Sequence, residues 1–202
     1  MNKLKIRPIL FLPIILLLLS LTAYAQKPVP VEIVNTKNGY QLKRAGKPYF
    51  IKGAGGSNHL EKLKNYGGNS LRTWSTHNAA QILDQAHQLG LTVTMGLAVG
   101  SERHGFDYND QDAVNKQLER LRQEVTQFKD HPALLIWAIG KELNLHYSNP
   151  KVWDAVEQIS LMIKSIDPNH LVTTTLAGIN QSEIDHIKSK CPSLDLIAVQ
   201  VY

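Results

Sequence analysis

The most reactive grouping in this sequence is Gly140-Lys141-Glu142-Leu143-Asn144, directly after the apolar run Leu134–Ile139. These six apolar residues, ahead of Gly140, read as a buried strand, and Glu142 stands just past its end. A carboxyl held at a strand end, partly shielded from water, can have its pKa raised towards neutrality. It can then protonate a departing oxygen. The plain alternative is a surface glutamate on a loop, paired with Lys141 or His146.

Elements must hold such a group in place, and the pattern supplies them. Strands at 31–34 and 40–44 flank Lys37-Asn38-Gly39, and Asn-Gly is a strong hairpin signal. Ala45-Gly46 turns the chain into a strand at 48–52. From there helices and strands alternate. Helices are expected at 60–65, 79–89, 112–129, 150–166 and 182–188, the fourth with Asn149 as cap and Pro150 at its first position. Strands are expected at 70–74, 92–97, 134–139, 171–176 and 194–201. Ile82, Leu83, Ala86 and Leu89 share one helical face, as do Val114, Leu118, Leu121, Val125 and Phe128. A hairpin, five β-α units and a sixth strand, with nearly all-apolar strands, predict a parallel sheet covered by helices. An open doubly wound sheet and a (β/α)8 barrel both fit. Gly53-Ala54-Gly55-Gly56 lacks the G-x-G-x-x-G spacing of a dinucleotide loop and reads as a permissive turn.

In a barrel, reactive groups gather past the C-terminal ends of the strands. Those positions here hold Gly53 to Ser57, then Arg72, Trp74 and His77, then Glu102, Arg103 and His104. Lys141, Glu142, Asn144 and His146 follow, then Gly178 and Asn180, then Gln200 and Tyr202. Hydroxyl partners and rings at one end of an apolar set of strands suit a sugar.

The stretch from His131-Pro132-Ala133 through Trp137 to Gly140-Lys141-Glu142 resembles clan A glycoside hydrolases, most closely the barrel domain of glycoside hydrolase family 2. Four further pieces match in order. They are Gly46 to Gly53, Gly68-Asn69-Ser70-Leu71-Arg72-Thr73-Trp74, Gly90-Leu91-Thr92-Val93 and Asp195 to Tyr202. The resemblance covers about residues 45–202 and implies a (β/α)8 TIM-barrel type of fold. As read, it is incomplete, with about six strands and five helices. It implies a retaining glycosidase or transglycosidase acting on a β-linked glycan, with Glu142 as acid/base. Arg72 would order the carboxylates, and Trp74, His104, Lys141, Asn144 and Tyr202 would line the sugar site. No cofactor and no metal are implied. Trp137, inside the fourth barrel strand, reads as packing.

Two departures stand out. The family has Asn before the catalytic Glu, bonding the sugar's 2-hydroxyl, and this sequence has Lys141. A mobile cation replaces a fixed amide there, so either its side chain points away or activity is impaired. The family's nucleophile is a Glu at the end of strand seven, and no residue here takes that role. The expectation is therefore a truncated form, inactive alone, whose open sheet edges allow self-association. The alternatives are a non-catalytic or degenerate carbohydrate-binding protein and an α/β ligand-binding module unrelated to sugars.

The remaining sequence bounds class and location. Lys3, Lys5 and Arg7, an apolar stretch to Leu21 and Ala23-Tyr24-Ala25 form the pattern of a cleaved signal peptide over residues 1–25. The domain plan is then a hairpin segment at 26–45 and a barrel segment at 46–202. The predicted location is the periplasm or the extracellular space, with no stable membrane anchor after cleavage. The leader's three positive charges leave +2 of the formal +5, with no basic stripe for nucleic acid. The expected partner is an oligo- or polysaccharide. Cys191 is the single cysteine, so no internal disulfide forms. The eight scattered histidines lack zinc-enzyme spacing.

Overall fold

The computed structural model describes residues 27–178 and 180–201. The expected leader at 1–25 and Tyr202 lie outside them. Strands β1 (Val31–Thr36) and β2 (Gly39–Arg44) form the expected hairpin, with Thr36 opposite Gly39, and β3 (Lys47–Pro48) returns along β2. Six parallel strands then form one sheet in chain order and curl into part of a barrel. They are β4 (Gly53–Gly55), β5 (Ser70–Arg72), β6 (Thr92–Leu97), β7 (Leu134–Ile139), β8 (Leu171–Ala177) and β9 (Leu196–Gln200). Between successive strands run α1 (Leu60–Asn65), α2 (Ala79–Gln88), α3 (Gln111–Phe128), α4 (Lys151–Ile166) and α5 (Gln181–Lys190).

The first barrel strand differs from the expected 48–52. Pro48 belongs to the hairpin sheet, and the barrel pairing starts only at Gly53. A side chain explains the gap. Asn69 accepts from the Lys52 N–H at 2.7 Å and donates to the Phe50 carbonyl at 2.8 Å, so residues 50–52 have partners without a strand neighbour. Helix α4 likewise starts one residue late. Pro150 is its cap residue, and the Asn149 side chain accepts the Lys151 N–H at 3.1 Å.

The helices cover the convex face of the sheet. Leu83 and Ala86 of α2, Leu121 and Val125 of α3, and Trp153, Val156 and Ile163 of α4 pack there against Val93, Met95, Leu97, Trp137 and Val172. Burying each such aliphatic side chain stabilises by about 1.5–3 kcal/mol. Trp137 is fully buried in this layer, which makes it packing.

The hairpin packs with its own small cluster. Val31, Ile33, Leu42 and Tyr49 meet Leu135, Ile136, Leu171 and Leu196. Leu135 reaches this cluster through a bulge, since Val93 pairs with Leu134 and Thr94 with Ile136. Polar ties add direction. Arg44 donates to the Pro132 carbonyl at 2.6 Å, and the Val31 N–H to the Asn169 carbonyl at 2.8 Å. Pro132 and Asn169 precede β7 and β8, so the hairpin sits at the N-terminal end of the sheet. The opposite end is left to the loops that carry the polar groups.

His131 of the His-Pro pair is structural. Its Nδ1 accepts the Ala133 N–H at 3.1 Å, and its Nε2 donates to Asp84 on α2 at 3.2 Å. Among the described residues no helix is long and apolar enough to cross a membrane, and no cluster of three metal-ligating side chains occurs.

Candidate active site

Strand β7 ends at Ile139, and the chain then makes two left-handed turns. Gly140 has φ 66° and Glu142 has φ 52°. Such a φ is uncommon for a residue with a side chain and costs of order 1–3 kcal/mol. The surroundings enforce it at Glu142, whose N–H donates to the Thr175 carbonyl of β8 at 2.8 Å. The residue is only 5 % exposed. Gly140 is needed for a second reason: a Cβ there would stand 2.7 Å from Leu143 Cδ1. We expect Gly140→Ala to cost about 2 kcal/mol in urea unfolding. A cost below about 0.5 kcal/mol would show that the turn relaxes and does not fix the glutamate.

Arg103 reaches Glu142 from the neighbouring loop. It lies in a short 3-10 turn, Glu102–His104, after β6. Its Nη2 is 3.5 Å from Glu142 Oε2 and 3.5 Å from the Lys141 carbonyl oxygen. Arg103 stood in the strand-three group, but sequence reasoning chose His104 from it. The structure leaves His104 exposed, with its Nδ1 3.0 Å from the Ser101 hydroxyl. Glu102 holds the two loops together, accepting from the Ser148 and Asn149 N–H groups at 2.6 and 3.0 Å. Those two bonds hold its carboxyl below the usual carboxylate range.

Lys141 and Trp74 also come together. The Lys141 ammonium lies 5.8 Å from the centre of the Trp74 ring, within cation–π range. Trp74 is 42 % exposed, unusual for so large a ring. Its backbone passes close to β6 because Gly96 has no side chain. A Cβ on Gly96 would stand 2.5 Å from the Trp74 Cα. Arg72, Trp74, Gly55 and Gln200 line a concavity of about 510 Å³ on the inner face of the sheet. A slightly smaller concavity, about 420 Å³, lies between α5 and β9 around Cys191, away from the carboxylate loop.

Asn144 is held within the fold. Its Oδ1 accepts the Ala177 N–H at 2.9 Å, and its Nδ2 donates to the Ala177 carbonyl at 3.0 Å and to Glu183 at 3.1 Å. The structure thus brings Glu142, Lys141, Trp74 and Arg103 to one end of the sheet, with Arg72 lining the adjoining concavity. A shielded carboxyl 3.5 Å from a guanidinium can give up and retake a proton while that cation steadies its charged form.

A family model described as "Glycosyl hydrolases family 2, TIM barrel domain" matches residues 57–202. A β-galactosidase of Vibrio vulnificus is 28% identical over 181 residues, covering 79% of this chain and 17% of that protein. A mannan endo-1,4-β-mannosidase of Aspergillus clavatus is 38% identical over 72 residues, covering 33% of this chain and 16% of that one. Among solved structures, a glycosyl hydrolase family 2 member from Bacteroides cellulosilyticus superposes with a TM-score of 0.66 at 22% identity. It covers 86% of this chain and 24% of its own. The chain thus spans about a sixth to a quarter of the length of the curated relatives it matches.

Proposed function

The chain belongs to glycosyl hydrolase family 2, and on that premise we propose that it serves the cleavage or transfer of a β-linked glycosidic bond, with Glu142 as acid and then base. The observation that carries this reading is the placement of Glu142: nearly buried, beyond the fourth barrel strand, in a left-handed turn bonded to Thr175. Glu142 protonates the leaving oxygen. It then takes a proton from the water or sugar hydroxyl that attacks the glycosyl intermediate. Arg103 is placed to stabilise the carboxylate that remains once the proton has gone. Trp74 offers a ring face to the sugar. In the family, the intermediate forms on a second carboxylate about 5–5.5 Å from the first, which the resemblance assigns to a seventh strand. The six strands described here carry the acid/base half of that pair. By itself the 202-residue polypeptide is therefore expected to form no glycosyl-enzyme. The charged, apolar and small-residue pattern over residues 3–25 supports export.

A non-catalytic carbohydrate-binding role is the second reading. Lys141 favours it, standing where the family has Asn and lying over the ring that a sugar would cover. Calorimetry with β-linked oligosaccharides on a polypeptide that joins these six strands to the two that close the barrel, followed by chromatography of the mixture, separates the two. Products that disappear in Glu142→Gln support the acid/base reading. Binding without products in either form supports the second, and neither binding nor products overturns both.

A further inference from the structure

Ladder pairing between β7 and β8 stops at Ile139 opposite Thr174, yet the β7-facing groups of β8 beyond that point are all occupied. The Thr175 carbonyl takes the Glu142 N–H at 2.8 Å. The Ala177 N–H and carbonyl are taken by the side chain of Asn144, at 2.9 and 3.0 Å. A carboxamide presents one acceptor and two donors, so it can meet both peptide groups of one residue as a neighbouring strand would. The second Nδ2 hydrogen reaches Glu183 in the first turn of α5, at 3.1 Å.

We infer that Asn144 is a positioning residue for Glu142: its side chain continues the β7–β8 ladder past the end of the strand and fixes the loop that carries the carboxyl. This rests on the acid/base reading of Glu142 only for its catalytic meaning, since the positioning itself is measurable without turnover. No shorter or apolar side chain can make both contacts with Ala177. Aspartate keeps the acceptor but loses both donors, and it would face the Ala177 carbonyl and the Glu183 carboxylate with like charge. Glu183 is the outer support, orienting the amide from α5. Together they link Glu142 to the loop between β8 and α5.

The test is nuclear magnetic resonance on the isotope-labelled 202-residue chain, following the Glu142 backbone amide and side-chain carboxyl. Asn144→Ala is expected to speed hydrogen exchange at the Glu142 amide about five- to tenfold, while amides of β6 exchange as in the parent. The resonance of the Glu142 carboxyl carbon is expected to move as well. Asn144→Asp behaves like Asn144→Ala, and the pair Asn144→Asp with Glu183→Gln recovers slow exchange only in part, because the introduced amide can donate to the aspartate while the Ala177 carbonyl still has no donor. Should Asn144→Ala fail to fold, Glu183→Ala removes only the outer support and is read in the same way. An unchanged Glu142 amide and carboxyl resonance would overturn the inference. So would an exchange increase shared equally by β6. If the positioning holds and no glycosidase activity is ever found, the acid/base reading fails and the inference stands as a statement about the loop.

Discussion

Glu142→Gln, placed in a polypeptide that joins these six strands to the two that close the barrel, is expected to lower turnover of glycosides with sugar or alkyl leaving groups by about 10²–10⁴-fold. The reason lies in what the leaving oxygen needs. An alkoxide or sugar oxygen is a poor leaving group unless it is protonated as the bond breaks, and glutamine has no proton to give. A nitrophenolate departs without help, so glycosylation from an activated aryl glycoside should be nearly unaffected. Deglycosylation then slows, because glutamine cannot activate water, and the intermediate accumulates as a burst. Adding a strong small nucleophile such as azide, which needs no base, should restore turnover of the aryl substrate. Equal losses on both substrate types, with no burst and no azide rescue, would place the acid/base elsewhere. Arg103→Ala serves as the companion. It leaves the Glu142 proton available but removes the cation that steadies the carboxylate left behind, so it should lower turnover less steeply, with a weaker form of the same leaving-group dependence.

The features that lead to Glu142 are local in the sequence, and those that hold it are not. An apolar run, a glycine and a carboxylate within eleven positions mark the end of β7. The alternation of helices and strands follows from spacing that a single segment displays. Leu83 and Ala86 on α2 and the unbroken apolar run of β7 are examples. The pairing of Arg103 with Glu142 spans 39 positions, and nothing near either residue signals the other. A basic side chain at the end of strand three was the available hint, and a guanidinium suits a carboxylate better than an imidazole does. Asn144 misled for a related reason. Two positions from the carboxyl it resembles a sugar contact, and only the placement of Ala177 and Glu183 shows where its amide is engaged. The late start of β4 turns on Asn69, whose side chain replaces a strand neighbour in a way that strand propensity does not register.

Below the site, a second carboxylate carries the largest expected effect on stability. Asp167 closes α4 and is 2 % exposed. It accepts from Trp137 Nε1 at 2.8 Å, from the Asn169 N–H at 3.0 Å, and from His170 Nδ1 at 2.8 Å. Trp137 lies on β7, the strand that ends in the Glu142 loop, so this anion ties that strand to the start of β8. Asp167→Ala would strand two buried donors and one half-buried donor at once. Breaking a buried, hydrogen-bonded ion group by removing one partner costs about 3–5 kcal/mol, and that loss should appear in urea unfolding as a lower midpoint with an unchanged slope. Asp167→Asn keeps one acceptor and should cost less, which leaves a folded variant to measure if the alanine does not fold. The pH dependence has a definite sign. Burial pushes the Asp167 carboxyl up, but the bonds from His170, Trp137 and Asn169 outweigh it and hold the carboxyl below its ordinary value. A carboxyl depressed in the folded state binds its proton more readily when unfolded. Its contribution is therefore full above the unfolded pKa, about 3.9, and is lost as pH falls from there through the folded value. Parent and Asp167→Asn should accordingly converge in stability below about pH 4 and separate above it. A constant gap across that range would mean that the network is held by shape and not by the charge of Asp167.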